Sequence, residues 1–205
     1  MKVWTAEQAR TFIAASADDR FGAMYELDLN TGLRRGELIA LQWTDVDLDA
    51  GMLRIRRSRV LADDRVHEVT PKSGKARVVD IDPGSVALLR RHWRRQFEER
   101  MAWGEAWTDS GYVFTREDGV AIHPDNVSSR LEMLVRCAGV PRIRVHDLRH
   151  THATLGLAAG VPLKVMSERL GHATTQITAD LYQHVIPGMG ADAAVKIANL
   201  LRAAK

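Results

Sequence analysis

The sequence predicts a mainly helical α+β fold with one small antiparallel sheet. Three features predict it: capped, amphipathic segments over much of the chain, a β-rich stretch confined to residues 52–81, and Gly or Pro at most of the junctions.

In order along the chain, Thr5-Ala6-Glu7-Gln8 has the form of a capping box and opens an amphipathic helix to about Ala17. A second helix runs from Asp19 to Asn30 and stops at Gly32, a residue suited to a left-handed cap. Leu33–Leu41 forms a short third helix and leads into the turn-like stretch Thr44–Ala50. Met52–Leu61 alternates and is rich in Arg, Ile and Val, so it predicts a strand. Arg65–Thr70 and Arg77–Ile81 predict two more, joined by the turn Lys72-Ser73-Gly74-Lys75. Pro83 then starts a long helix to about Met101. Tyr112–Phe114 and Val120–Ile122 flank Glu117-Asp118-Gly119 as a hairpin signal. Helices follow at Asn126–Ala138, Asp147–Ala159, Pro162–Leu170 and Thr174–Tyr182. Pro187–Gly190 is a linker, and Ala191–Ala204 is a last amphipathic helix carrying Val195, Ile197, Leu200 and Leu201.

A chain of 205 residues with 45% hydrophobic and 27% charged residues is expected to form a single domain with a core of its own. Its one cysteine, Cys137, excludes an internal disulfide and any multi-cysteine zinc finger, and fits a reducing compartment. Apolar runs fall short of the roughly 18 residues that span a bilayer, and Met1–Thr5 passes straight into a polar helical pattern without a signal-peptide core. The expectation is a soluble, intracellular protein, with no membrane partner.

Charge is more informative. Lys and Arg total 29 against 26 acidic residues, for a net charge of +3, and only six of the 29 are lysines. Arginine grips phosphate with a planar two-toothed fork, although genomic base composition accounts for such a bias equally well. The basic residues cluster at Arg54–Arg59, Lys72–Arg77 and Arg90–Arg95, a pattern that suits a polyanion. A solvated helix face explains the third cluster just as well.

Chemistry concentrates in four stretches: Thr31-Gly32-Leu33-Arg34-Arg35-Gly36-Glu37-Leu38; Pro71-Lys72-Ser73-Gly74-Lys75; His146-Asp147-Leu148-Arg149-His150-Thr151-His152; and Leu170-Gly171-His172 with Tyr182 beyond it. Taken singly, each is unspecific. His146 and His150 are an i,i+4 pair of the kind zinc hydrolases use, but Arg149 lies one turn along and would repel a dication, so no metal site is expected.

Together and in this order, the stretches resemble the catalytic domain of the tyrosine recombinase, or phage integrase, family. The resemblance runs from about Thr5 to Pro187. It implies the tyrosine recombinase catalytic-domain fold, with Arg34, Lys72, His146, Arg149, His172 and the nucleophile Tyr182 as catalytic residues. Lys75 is the competing choice for the lysine. It also implies site-specific DNA recombination or integration on double-stranded DNA, without a cofactor. The full-length enzyme is then expected to act as a homotetramer on DNA, and the isolated domain to be a monomer. Residues 1–205 read as one catalytic unit, with a core over 1–187 and a linker and helix over 188–205, for which docking on a partner protomer and packing on its own domain are the two alternatives. The helical core-binding domain that precedes this unit in the family has no counterpart in the sequence. The alternatives are a type IB topoisomerase, which shares the arginine–lysine–arginine–histidine–tyrosine arrangement, and a non-catalytic DNA-binding regulator. The H-D-L-R-H and L-G-H wording is integrase-like.

Elementary chemistry assigns the roles. Attack on a phosphodiester builds charge on its non-bridging oxygens, which the Arg34 and Arg149 forks can stabilise. A tyrosine hydroxyl with an ordinary pKa of about 10 is a poor nucleophile, and His146 is the candidate proton acceptor. Lys72 is placed to protonate the leaving 5′ oxygen, and His172 to donate a hydrogen bond to the phosphate. Glu37 and His150 are expected to support these groups from behind. Arg56, Arg57, Arg59, Lys75 and Arg77 are the expected DNA contacts.

Overall fold

The computed structural model describes residues 2–71, 76–172, 174–182 and 189–202. Four helices make the main layer. They are α1 (Ala6–Ser16), α2 (Gly22–Thr31), α5 (Pro124–Ala138) and α6 (Val145–Ala158), with α1 packed on α5 and α2 on α6. Thr5 caps α1 with the reciprocal capping box, its Oγ1 accepting from Gln8 N at 3.2 Å while Gln8 Oε1 accepts from Thr5 N at 3.0 Å. The core between these helices is aromatic at one end. The Trp4 and Phe12 ring centroids are 4.9 Å apart, those of Phe12 and Tyr25 are 5.9 Å apart, and all three side chains are buried. Their polar atoms are satisfied, with Trp4 Nε1 donating to Pro141 O at 2.8 Å and Tyr25 Oη to Val127 O at 2.6 Å.

Between α3 (Arg35–Leu38) and the long α4 (Pro83–Trp103) lie five short strands: β1 (Val46–Asp47), β2 (Met52–Ile55), β3 (Ser58–Ala62), β4 (Arg65–Val69) and β5 (Arg77–Asp80). They form two antiparallel sheets rather than one, in the orders β1-β2-β5 and β3-β4. The expected strand Met52–Leu61 is therefore two strands, broken at Arg56-Arg57. The cause is Asp45, whose side chain is 2% exposed: both arginines turn to it. Successive side chains of a regular strand point to opposite faces, so two neighbours reaching one carboxylate break the pleat. Asp63 and Asp64 close the β3–β4 ribbon, both at positive φ (49° and 56°), as a two-residue turn requires.

Two further expectations differ in detail. Around Glu117-Asp118-Gly119 there is one isolated bridge, Thr115 to Ala121, in place of paired strands. The backbone of the 111–113 stretch is engaged elsewhere, with Val113 N donating to Leu41 O at 2.8 Å and Gly111 O accepting from Trp43 N at 3.1 Å. The third helix is the single turn Arg35–Leu38.

The C-terminal part holds α7 (Leu163–Leu170), α8 (Thr175–Tyr182) and α9 (Met189–Arg202). Ala153, Leu157, Met166 and Leu170 form a second, smaller buried cluster that fastens α7 to α6. On α9, Val195, Ile197 and Leu201 are exposed. No helix among the described residues is long and apolar enough to cross a membrane.

Candidate active site

The site is organised by the C-terminus of α7. A helix ends with carbonyls that have no partner inside it, and these carry the negative end of the helix dipole. Gly171 takes the left-handed cap at φ +67°, which lets Gly171 N and His172 N turn back to Glu168 O (2.9 Å) and Ser167 O (3.1 Å). The next three carbonyls each accept from a different arginine. Arg77 Nε donates to Arg169 O at 3.3 Å, Arg149 Nη2 to Leu170 O at 2.7 Å, and Arg34 Nη2 to Gly171 O at 3.2 Å. A Cβ at position 171 would lie 3.0 Å from the Arg77 side chain, so any other residue would crowd Arg77 as well as strain the positive φ.

Arg34 reaches this point because Gly32 (φ +64°) ends α2 and reverses the chain, leaving Arg34 extended at the N-cap of α3. Glu37 bends back to it: Oε2 accepts from Arg34 N at 3.0 Å and Oε1 from Arg34 Nη1 at 2.9 Å. The same carboxylate takes the Arg77 fork, Nη1 to Oε1 at 2.9 Å and Nη2 to Oε2 at 2.7 Å. Burial alone would raise the Glu37 pKa, but the bonds and charges of Arg77 and Arg34 outweigh it and hold the carboxyl at about 2. Arg149, buried on α6, donates its other Nη to Gly32 O at 2.7 Å, so it ties the ends of α2 and α7 together.

Three imidazoles border the arginines. Burial, Arg149 and Arg34 push His172 down to about 4, and its Nδ1 pairs with the Thr178 hydroxyl of α8 at 2.7 Å. His150 is also pushed to about 4, by burial and then by His146, and its ring meets that of His146 edge to face at 4.7 Å. His146 lies below the ordinary imidazole value through burial and the charges of Arg149, Arg144 and Arg34, with Asp147 opposing them. All three are neutral at pH 7. Arginines bordered by neutral imidazoles are chemically suited to an anion. Tyr182 is the last residue of α8, one turn beyond Thr178. Lys72 and Lys75 lie outside the described residues.

The expected DNA contacts divide. Arg77 is not a surface cation: its side chain is 11% exposed and engaged with Glu37 and Arg169 O. Arg57 pairs with Asp45 and, at 3.3 Å, with Glu68. Arg59 donates to Ile122 O at 2.9 Å and lies 5.0 Å from the Tyr112 ring centre. Among the described members of this set only Arg56 keeps half of its side chain exposed, with Asp45 3.5 Å away. Much of the positive charge in the Arg54–Arg59 cluster is thus matched internally. Sequence reasoning also missed Arg169, which had no motif of its own. The available signal was its position directly before L-G-H. Among the described residues no group of three or more His, Cys, Asp or Glu side chains is arranged to hold a metal ion.

The sequence model of the phage integrase family matches residues 2–188. This chain belongs to the phage integrase family. The relatives of this integrase-family chain include a tyrosine recombinase XerC-like protein of Caldanaerobacter subterraneus subsp. tengcongensis, 34% identical over 200 residues that make up 91% of this chain and 51% of the relative. The ICEBs1 integrase of Bacillus subtilis is 31% identical over 205 residues, 98% of this chain and 55% of that protein. The chain thus spans about half the length of these curated relatives. The Tn1549 transposon integrase, solved in complex with transposon right-end DNA, shares the fold with a TM-score of 0.75 at 18% identity, over 88% of this chain and 61% of that one. The tyrosine recombinase catalytic-domain fold is therefore the fold of this family member.

Proposed function

We propose that this chain is the catalytic unit of a site-specific DNA recombinase that cuts and rejoins DNA through a 3′-phosphotyrosyl link. The observation that carries the reading is the set of three successive carbonyls, Arg169 to Gly171, each holding an arginine beside neutral His172. These bonds fix the guanidinium planes of Arg34 and Arg149 before the anion arrives.

In this reading Tyr182 attacks the phosphorus and neutral His146 takes its proton. Arg34 and Arg149 stabilise the charge that grows on the non-bridging oxygens, and His172 adds a hydrogen bond. Lys72 protonates the departing 5′ oxygen, with Lys75 as its competitor. The phosphodiester energy stays in the tyrosyl link, so a 5′ hydroxyl can later reverse the step without ATP. The partner is double-stranded DNA; curated relatives are named as integrases and a tyrosine recombinase, and the Tn1549 enzyme was solved on DNA. Assembly into a ring of four uses α9, whose exposed Ile197 and Leu201, one turn apart on the same helix face, meet a neighbouring protomer.

The test is a nicked duplex, its sequence selected by the protein from a randomised pool, incubated with the protein in EDTA. A covalent adduct that survives denaturing electrophoresis and vanishes in Arg34→Ala and Arg149→Ala supports the reading. Binding without any adduct, or an adduct formed only with added divalent metal, overturns it.

A further inference from the structure

We infer that His152 and Arg169 form a positioning clamp that sets the separation of the two carbonyls holding Arg149. The inference rests on the proposed role of Arg149 at the phosphate.

The two carbonyls belong to Gly32, at the end of α2, and Leu170, at the end of α7. Nothing in the sequence connects these helix ends, and Arg149 can present a fixed plane only if they stay a fixed distance apart. Arg169, next to Leu170, spans the gap. Its Nη2 donates to Asn30 O of α2 at 2.9 Å, its Nη1 to Asp80 O of β5 at 2.8 Å, and its Nε to His152 Nε2 at 3.3 Å. His152, on α6, uses its other nitrogen, Nδ1, to donate to Leu29 O of α2 at 2.8 Å. One residue thus binds α2, α6 and β5 from the end of α7, and a second locks α6 to α2.

Packing closes the arrangement. A Cβ at Gly32 would lie 2.6 Å from the His152 ring and 2.8 Å from the Leu170 side chain. The residue carrying one Arg149 acceptor is therefore wedged between the clamp histidine and the residue carrying the other.

The bonds define a single form of His152: hydrogen on Nδ1 and a lone pair on Nε2 toward Arg169. The doubly protonated ring would lose that acceptor and set its charge against Arg169 and Arg149. Burial, with those two cations, accordingly pushes His152 down to about 4. The chemistry here is positioning rather than catalysis, because the guanidinium of Arg169 is spent on main-chain carbonyls and His152.

Nitrogen-15 NMR of the imidazoles and single-turnover cleavage of the selected nicked duplex test the inference together. In the wild type, His152 should show a protonated Nδ1 and bare Nε2 down to pH 5. His152→Phe keeps a ring but neither bond, and Arg169→Leu removes the fork; each should slow cleavage about 10- to 100-fold. DNA affinity should stay within about threefold of wild type, and His152→Gln, which keeps a donor and an acceptor, should recover most of the rate. In an Arg149→Lys background His152→Phe should have no further effect, since both act on the same group. Full-rate cleavage by His152→Phe, an Nε2-protonated tautomer, or additive losses in the double variant would each overturn the clamp. A wild type that makes no adduct overturns the functional reading instead, while the tautomer still reports on the clamp geometry.

Discussion

Glu37 and Arg77 meet fork to fork, 40 residues apart in sequence, with both carboxylate oxygens engaged and the Glu37 side chain fully buried. The same carboxylate holds the main chain and guanidinium of Arg34. Glu37 is thus the counter-ion that allows two arginines to stand side by side.

Glu37→Gln should destabilise the protein by about 3 kcal/mol, near the lower end for breaking a buried pair because the amide still accepts one bond. The pH dependence follows from a carboxyl held at about 2 against an ordinary 4.5. The unfolded chain binds the proton first, so this stability is fully present above 4.5 and lost as pH falls toward 2. Urea unfolding at pH 7, 4 and 3 should show the gap between wild type and variant shrinking with acid. A constant gap would place the interaction elsewhere.

Asp28 should behave in the opposite sense. It is fully buried on α2, and neither carboxylate oxygen has a hydrogen-bond partner. Burial raises its pKa well above the ordinary value, with Arg149 opposing and Glu37 reinforcing the shift. The folded state keeps the proton while the unfolded state releases it, so stability falls as pH rises past the ordinary carboxylate range. Asp28→Leu should stabilise the protein by about 1–3 kcal/mol, with a larger gain at pH 8 than at pH 4. Calorimetric melting at the two pH values checks both the sign and the trend.

DNA binding should take up protons. His172 stands at about 4 because burial and the charges of Arg149 and Arg34 disfavour the imidazolium. A phosphate among those arginines offsets their charge and raises the histidine toward its ordinary value. Affinity for the selected duplex should therefore strengthen as pH falls from 7 toward 5, and His172→Asn should flatten the profile. Equal slopes for variant and wild type would assign the proton to another group.

The basic strand-break region should separate stability from DNA contact. Arg57 is paired with buried Asp45 and with Glu68, whereas Arg56 is half exposed. Arg57→Ala should cost about 1–3 kcal/mol of folding stability and leave the salt dependence of binding unchanged. Arg56→Ala should keep stability and reduce the salt slope by about one counterion. Titrations by fluorescence anisotropy at several salt concentrations distinguish the two.

Local chemistry was legible in the sequence where a residue's own backbone needs decide the outcome. Thr5 and Gly32 cap helices as their types suggest. The motif arginines Arg34 and Arg149 do converge. Illegible were relationships fixed by residues distant in the chain. Asp45 splits a strand whose own alternation is unbroken. Arg77 looks like one more cation in a basic run until Glu37 is folded against it. His152 and Arg169, 17 residues apart on different helices, meet only because α7 folds back on α6.

In the proposed reaction Tyr182 becomes joined to DNA beside Arg34 and Arg149. Mass spectrometry of the protease-digested adduct from a nicked duplex, formed in EDTA, tests it most directly. One modified peptide is expected, carrying a 3′-phosphorylated nucleotide on Tyr182, with no adduct from Tyr182→Phe. A nucleotide on another residue, a 5′ linkage, or an undiminished adduct from Tyr182→Phe would contradict it.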